Sequence, residues 1–342
     1  MSSSATFEHL LQRFASRPAV RTAEVALQPL MQELISGGFA DLPLPGQGRT
    51  LDRWRTLAAV AGSDLALTKL FEGHTDALAI MAELAYFDPS ALGSWGTWAA
   101  EPPFAKVNIV DRQGEQVYLH GRKAWCSGAP LLDWALLTAW DEQRRPQLVA
   151  VALKQPTIRL FDDGWQAVGM SSTASVDVEF EGALARCVGA PGAYLHRPGF
   201  WQGGGGIAAC WYGAACALAG YLREHCSKPH HDVHAEAHLG AVDAALCAAA
   251  SALRETAHWI DAHPRQSAEI PVRRLRAQIE AAASQVLEHV GRALGATPFC
   301  RNNHFARLAA DLPVFMRQSH AEKDLAELGK LISAQAVKGW TL

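Results

Sequence analysis

The sequence lacks the patterns that mark several large classes of protein. Lys and Arg are scattered along the 342 residues and the formal net charge is only −3, so no basic stripe is available to follow a nucleic-acid backbone. The first residues contain no apolar run before a small-residue cleavage site, which predicts that there is no secretory signal peptide. No 18-residue stretch is free of charged and polar residues, so no membrane span is predicted. These absences predict a cytoplasmic protein without a nucleic-acid or membrane partner.

Cysteine occurs in an odd number and without metal or disulfide spacing. The seven residues include no CxxC pair, and an odd set cannot pair completely within one chain. We therefore expect reduced thiols that pack as small apolar side chains. The residues are Cys126, Cys187, Cys210, Cys216, Cys226, Cys247 and Cys300.

Other chemical signatures are also missing. The run Gly203-Gly204-Gly205-Gly206 has no preceding strand and no GxGxxG or P-loop pattern, so it indicates a flexible loop or a close backbone approach. Three histidines, His230, His234 and His238, are spaced to share one face of a helix. No HExxH or carboxylate pattern accompanies them, so a solvated polar face is expected rather than a metal site.

What the sequence does contain is an ordered change from one structural period to another. Helical spacing of apolar residues comes first, strand-like alternation follows from about residue 93, and Ala-rich helical runs fill the remainder. This order predicts an α+β fold with an N-terminal helical domain (1–92), a central antiparallel β domain (93–190) and a C-terminal four-helix bundle (191–342).

Local signals predict individual elements within that order. The turn Asp111-Arg112-Gln113-Gly114 between alternating runs indicates a β-hairpin. Long helices are expected over 207–226 and 232–262, followed by a helix that ends at Gly295 and a last helix over about 311–335.

Motifs within this order resemble those of the acyl-CoA dehydrogenases, and they extend over nearly the whole chain. The segment Gly121-Arg122-Lys123-Ala124-Trp125-Cys126-Ser127-Gly128 is similar to the family's GxKxW(I/C)(S/T) segment. Gly295 stands sixteen residues before Asp311, the spacing that the family keeps between its glycine motif and its arginine-aspartate pair. Further matches are Glu101-Pro102 upstream and Trp165, Gly169-Met170, Thr173 and Ser175 downstream, which resemble the family's W…GMRxTxS strand.

The resemblance implies a flavin site that uses FAD. In the family, the hydroxyl at the Ser127 position approaches flavin N5 and the tryptophan at the Trp125 position packs beside the ring. An isoalloxazine ring needs such a flat apolar wall together with polar groups near N5. The residues that we expect to contact the cofactor are Trp98, Ala100, Trp125, Cys126, Ser127, Arg292 and Gly295.

Several positions depart from the family pattern. Ala100 stands where the family has a hydroxyl residue, and Ser171 and Ala310 replace two of its arginines. The family's diphosphate-binding RxxFG segment is replaced by the histidine-rich stretch 225–238. Arg292, which stands where the family has a glutamine, either brings a compensating cation to the phosphates or is a solvated helix residue.

The catalytic carboxylate of the family is missing. Its position, eight residues after Asp311, is Ser319, and the alternative site of some members falls within Gly203–Gly206. His320 is the first candidate for proton transfer, because imidazole titrates near neutrality and a related branch of flavin monooxygenases has a histidine in about this helix. Glu322 is the second candidate, and an exposed helix surface is the alternative interpretation for both.

A further segment is expected to reach the substrate. Glu72-Gly73-His74-Thr75-Asp76 has no accompanying GxSxG motif, so it does not indicate a catalytic triad. The resemblance places this segment on a helix at the substrate side, and His74 and Asp76 are therefore predicted to touch substrate.

The favoured function is FAD-dependent α,β-dehydrogenation of a small acyl substrate, a thioester or a similar compound. The first alternative is a flavin-dependent monooxygenase of the related branch, in which a histidine rather than a glutamate is needed. The second is a non-catalytic binding or scaffold homologue, which would tolerate the lost cofactor contacts. Members of the family are dimers or tetramers, so a homo-oligomer is implied.

Overall fold

The chain folds into helices at both ends of a strand-rich segment. The computed structural model describes residues 3–16, 24–162, 164–229, 232–335 and 340. The helices are α1 (Ser3–Ala15), α2 (Glu24–Ser36), α3 (Thr50–Ser63), α4 (Leu65–Glu83), α5 (Ala193–His196), α6 (Gly199–Cys226), α7 (Val233–Ala262), α8 (Glu269–Leu294), α9 (Thr297–Arg301), α10 (Asn303–Phe315) and α11 (Glu322–Ser333). The strands are β1 (Trp95–Trp98), β2 (Val107–Gln113), β3 (Gln116–Cys126), β4 (Trp134–Trp140), β5 (Pro146–Ala152), β6 (Ile158–Phe161) and β7 (Val176–Val188). Short 3-10 turns cover Ser171–Thr173 and Met316–Gln318.

The predicted α+β order is confirmed. The hairpin forms between β2 and β3, and Gly114 in its turn has the positive φ of 67° that such a tight turn requires. Helix α8 ends at Gly295, where φ is 61°, as the sequence predicts.

The chain divides into two compact units. One consists of Met1–Leu44 with Asp64–Phe200, and it contains α1, α2, α4, α5 and the seven strands. The other consists of Pro45–Ser63 with Trp201–Leu342, and it contains α3, nearly all of α6, and α7 to α11. The division into three domains at residues 92 and 190 stays a prediction.

The strands of the first unit form one sheet that closes on itself. Pairing runs in the order β1-β4-β2-β3-β7-β5, and β5 pairs back onto β4, so that five strands make a ring. The sheet is mixed, whereas the sequence predicts an antiparallel one. Strand β4 runs parallel to both β1 and β2, because it reaches them through longer connections rather than through a hairpin turn, which reverses direction.

Strands β4 and β5 are buried on both faces. Leu137 and Val149 point into the apolar core enclosed by the ring. Leu136 and Ala150, on the opposite face, pack with Ile80 of α4. Successive side chains of a strand point to opposite faces, which explains why these strands are almost continuously apolar in sequence.

Of the two interpretations of the glycine run, the flexible loop is wrong and the close backbone approach is confirmed. Residues 203–206 lie inside α6, in the second unit. A Cβ on Gly205 would lie 2.6 Å from the ring of Trp54 on α3, and one on Gly213 would overlap the carbonyl oxygen of Ala58. The glycines therefore let α3 pack directly on α6.

The prediction of a single last helix over about 311–335 is also wrong. Helix α10 ends at Phe315, and α11 begins only at Glu322. Between them Ala321 has a φ of 46°, which an α-helix cannot continue through. The break places His320 outside any helix.

Helix α6 is long and apolar enough to cross a membrane, although no membrane span is predicted from the sequence. In the described residues it is the one helix that passes this test, and 72% of its most apolar window is buried inside the protein. This burial is that of a core helix.

Two glycines of α6 test the close approach of α3. Gly213→Ala should lower the free energy of unfolding by about 1–3 kcal/mol, because the new methyl group meets backbone that cannot yield easily. Gly220→Ala is the matched control, since nothing lies within 4 Å of its Cβ position, and it should raise stability by roughly 0.5–1 kcal/mol. Urea denaturation measures both, and equal effects would contradict the packing described.

Candidate functional site

A directed chain of hydroxyl groups ends at Ser127. Thr173 Oγ1 donates to the carbonyl oxygen of Met170 at 2.7 Å and lies 2.7 Å from Ser175 Oγ. Ser175 Oγ lies 2.8 Å from Ser127 Oγ. A hydroxyl has one hydrogen, and a carbonyl can only accept, so Ser175 must donate to Thr173 and Ser127 must donate to Ser175. The lone pairs of Ser127 Oγ are then left to accept a hydrogen bond from a ligand.

The two ends of the chain differ in exposure. Thr173 and Ser175 are buried, whereas Ser127 is half-buried at the surface of the sheet. The Ser127 carbonyl accepts from Trp98 Nε1 at 3.1 Å, and Gly128 N donates to the Thr173 carbonyl at 2.8 Å. The hydroxyl that a ligand would meet is thus held through its backbone as well as through its side chain.

Trp125 presents an aromatic face beside Ser127. Its φ is 60°, a left-handed conformation that is unusual for a bulky residue. Asp177 steadies it, since one carboxylate oxygen accepts from Trp125 N at 3.3 Å and the other from Arg122 Nε at 2.8 Å. The indole is 45% exposed and meets Phe104 edge-on at 5.8 Å between ring centroids. The two rings provide an accessible apolar wall.

An ion pair between a buried lysine and a partly exposed glutamate lies behind this wall. Lys123, whose side chain is 1% exposed, contacts Glu101 Oε1 at 2.5 Å and Thr138 Oγ1 at 2.7 Å. Thr138 Oγ1 also contacts Glu101, and Trp140 Nε1 donates to the second Glu101 oxygen at 3.0 Å. Burial opposes ionisation of Glu101, but the hydrogen bonds from Lys123, Thr138 and Trp140 outweigh it, so the Glu101 pKa lies below its usual value. Burial lowers the pKa of Lys123.

A space of about 10 Å³, enough for one water molecule, borders Ser127 and Trp98. Lys69 and Thr97 also line it. Lys69 Nζ lies 3.0 Å from Glu72, and the two side chains are only 19% and 11% exposed. No local sequence signal links Lys69 and Thr97 to Ser127, or Asp177 to Trp125, because only the fold brings these residues together.

Contact of Trp98, Ala100 and Cys126 with a cofactor stays a prediction, and their side chains have the following surroundings. Trp98 is buried and its indole nitrogen is used by Ser127, while Ala100 is exposed and offers no side-chain polar group. Cys126 is fully buried in the core of the ring, and burial raises the pKa of its thiol. Its Sγ contacts the Lys123 carbonyl at 3.3 Å. Cys126 thus serves packing, as predicted for all the cysteines, but that prediction is wrong for Cys247 and Cys300, which are exposed.

Arg292 and Gly295 lie at the C-terminal end of α8. The Arg292 guanidinium lies 3.1 Å from Glu288, and the two side chains are 65% and 59% exposed. Gly295 caps the helix. The exposed pair agrees with the solvated-helix interpretation of Arg292, and contact of Arg292 or Gly295 with a cofactor stays a prediction.

His74 and Asp76 differ in their environments on α4. His74 is buried and its Nδ1 accepts from Trp95 N at 3.2 Å, so any proton on the neutral ring is on Nε2. Burial lowers the His74 pKa to about 4, with Asp41 partly opposing the shift. Asp76 is half-buried. Contact of either residue with substrate stays a prediction.

The two predicted proton-transfer residues lie in the second unit. His320 is 69% exposed, and its backbone N–H donates to Asp324 at 2.9 Å. Glu322 is exposed at the start of α11, where it lines a cleft of about 320 Å³ together with Trp201, Arg273 and Ser319. His320 is not among the residues that line this cleft. The roles of His320 and Glu322 in proton transfer stay predictions.

Arg276 joins the two places where the resembling family keeps its catalytic carboxylates. Its Nη1 donates to the Gly204 carbonyl at 3.0 Å and its Nη2 to the Gln318 carbonyl at 3.0 Å. The guanidinium lies over the Trp211 ring, 4.7 Å from the centroid. A fixed cation, which cannot serve as a base at neutral pH, therefore lies between those positions.

The fold is shared with solved structures of flavin enzymes. TdsC from Paenibacillus sp. A11-2, in complex with FMN and indole, matches with a TM-score of 0.80 at 16% identity over 96% of each chain. Methanesulfinate monooxygenase MsuC from Pseudomonas fluorescens matches with a TM-score of 0.79 at 19% identity over 99% of each chain. KijD3, in complex with FMN and dTDP-3-amino-2,3,6-trideoxy-4-keto-3-methyl-D-glucose, matches with a TM-score of 0.80 at 15% identity over 97% of this chain and 94% of that one.

These neighbours have the acyl-CoA dehydrogenase-like fold, so the resemblance is confirmed at the level of fold. No family profile matches the sequence, and no curated protein matches it. At identities this low the likeness extends to the fold alone.

Replacing either partner of the Lys123–Glu101 ion pair should show which of the two charges needs the other for stability. Glu101→Gln should destabilise the protein by about 3–5 kcal/mol, because it strands the ammonium of Lys123 without a counter-charge. Lys123→Met should cost less, since the Glu101 side chain is 29% exposed and water can solvate it. Chemical denaturation of the two variants and the double variant measures the difference.

The pH dependence of Glu101→Gln provides the check. A folded Lys123 pKa below the unfolded value means that the unfolded state binds more protons, so the stability of the variant should rise as the pH approaches roughly 10. A deficit that stays constant between pH 7 and 10 would contradict the account.

Proposed function

We propose that this protein is a flavin-dependent monooxygenase that binds reduced FMN and transfers one oxygen atom of dioxygen to a small organic molecule, while the second oxygen atom is released as water. The observation that carries the proposal is the direction of the hydroxyl chain, which leaves Ser127 as a hydrogen-bond acceptor. Flavin N5 bears a hydrogen in the reduced ring and a lone pair in the oxidised ring. An acceptor at this point therefore favours the reduced form.

The residues present fit a flavin ring. Trp125 and Phe104 offer an exposed aromatic wall next to the acceptor hydroxyl of Ser127, which is the combination that an isoalloxazine needs. When bound, a reduced flavin supplies the electrons that activate dioxygen. The chain's own part is to hold the ring against Trp125 and to keep N5 hydrogen-bonded through Ser127.

FMN is proposed rather than the FAD that the sequence resemblance implies. Arg292, the cation expected near a diphosphate, is exposed and already paired with Glu288. TdsC and KijD3, which share the fold, hold FMN. FMN carries a single phosphate, so it needs fewer cationic side chains for binding than the diphosphate of FAD does.

Dehydrogenation of an acyl thioester is the competing function, and Arg276 argues against it. That reaction needs a base on the side of the substrate opposite N5. The backbone positions that carry the glutamate in the resembling family, at Gly204 and beside Gln318, are bound instead by a guanidinium. His320 remains a candidate for proton transfer in the monooxygenase reaction, with Glu322 second.

Self-association is part of the proposal. The resemblance implies a dimer or tetramer built on the C-terminal helices, and a small-molecule substrate as the other partner.

The reaction class can be tested directly. Protein supplied with chemically reduced FMN and ¹⁸O₂ should give a product with one ¹⁸O atom from a panel that includes methanesulfinate, dibenzothiophene and indole. Acyl thioesters added without oxygen should leave enzyme-bound oxidised flavin unbleached. Mass spectrometry and flavin absorbance are the two readouts.

Two outcomes would overturn the assignment. Anaerobic bleaching by any acyl thioester would make the protein a dehydrogenase. Failure to bind FMN or FAD in either redox state would make it a non-catalytic homologue.

A further inference from the structure

Two histidines on neighbouring helices make direct contact in the second unit. His238 on α7 and His289 on α8 have their Nδ1 atoms 2.8 Å apart and their ring centroids 5.1 Å apart. Both side chains are half-buried. Helices α7 and α8 pack against each other along their lengths, so the backbones that carry the two rings are held in place.

The contact requires that one proton be shared between two nitrogens. A neutral imidazole has one N–H and one lone pair, so one ring donates its Nδ1–H and the other presents its Nδ1 lone pair. If the donating ring moves its proton to Nε2, the two Nδ1 lone pairs converge on one region. Convergent imidazole lone pairs are what a metal ion needs.

The two nitrogens would need the least movement to reach one particular coordination geometry. Metal–nitrogen bonds of about 2.0–2.1 Å place two nitrogens roughly 2.9 Å apart at a right angle, and about 3.4 Å apart at a tetrahedral angle. The observed 2.8 Å is the length of the hydrogen bond between the two rings, and it is closer to the right-angle spacing than to the tetrahedral one. Right angles belong to square-planar, tetragonal and octahedral sites, whereas structural zinc sites are tetrahedral.

We infer that His238 and His289 form a binding site for a divalent first-row transition metal that prefers Cu²⁺ and Ni²⁺ to Zn²⁺. The described residues contain no group of three or more possible metal ligands, so the two imidazoles are the protein ligands and water completes the coordination. Small rotations of the two rings bring the lone pairs onto the ion.

This site differs from the helical face of histidines that the sequence suggests. Of those three, His230 lies outside the described residues and His234 is exposed one turn before His238. The cross-helix site uses a residue of α8, which helical spacing along α7 cannot reveal.

The site can be tested on the full chain with metal salts. Metal-free protein should bind one equivalent of Cu²⁺ in calorimetric titrations in a non-coordinating buffer, and visible absorption should show nitrogen ligation. His238→Ala and His289→Ala should each weaken Cu²⁺ binding by at least tenfold. Nickel should bind more weakly than copper, and zinc most weakly.

The controls separate this site from other histidines. His258→Ala, at an exposed position of the same helix, should leave the affinity unchanged. His289→Gln keeps a polar side chain between the helices and should lose the metal while melting at the temperature of the unaltered protein without metal. Unchanged affinity in the His289 variants would overturn the inference, as would loss of binding in His234→Ala alone, since the metal would then be held by α7 by itself.

Discussion

The candidate site depends on the fact that a hydroxyl group has only one hydrogen to donate. Because Thr173 gives its hydrogen to the Met170 carbonyl, the direction of the next two hydrogen bonds follows, and Ser127 is left as an acceptor. The backbone beside this chain of hydroxyl groups is left-handed at Met170 and Ala174, where φ is 58° and 46°. Unfavourable backbone conformations of this kind persist where the surrounding structure fixes them, and here they flank the short turn that contains Thr173.

The same part of the sheet has to support an aromatic residue in a strained conformation. Trp125 has a left-handed φ, and the carboxylate of Asp177 accepts from its backbone nitrogen. Behind it, Lys123 places a charge in the interior that is costly to bury unless it is paired and hydrogen-bonded, as it is with Glu101. The apolar wall is therefore anchored by polar contacts on its buried side, which leaves the indole face accessible for a flat ligand.

The sequence predicted the order of elements well, because helical and strand periods leave clear patterns in α8 and in the β2–β3 hairpin. It failed where tertiary contacts decide. The glycine run, whose local pattern favours a loop, lies inside a helix. Its glycines leave the space beside Gly205 that Trp54 of α3 fills. The sheet, predicted to be antiparallel, is mixed because β4 lies parallel to β1 and β2, to which it is joined by long connections rather than by a hairpin turn. Local patterns contain neither fact.

The candidate site was predictable in the same uneven way. The resemblance led to Trp125 and Ser127, whose surroundings suit a ring-shaped ligand. It could not lead to Asp177, which lies 52 residues from Trp125 in sequence. Nor could it show that Arg276 contacts both segments where the family has its catalytic carboxylates. In sequence, an arginine in a helix with regular apolar spacing cannot be distinguished from a solvated residue. His320 was predicted on a helix and lies in a break before one.

The most direct test of the central claim compares the affinity of the protein for FMN in its two redox states. Anaerobic titrations followed by flavin and tryptophan fluorescence should give a dissociation constant at least tenfold lower for reduced than for oxidised FMN, about 1.4 kcal/mol. Ser127→Ala should reduce that preference, and so should Ser175→Ala, because it lets the Ser127 hydroxyl rotate. Equal or tighter binding of oxidised FMN, or a preference that survives Ser127→Ala, would contradict the account.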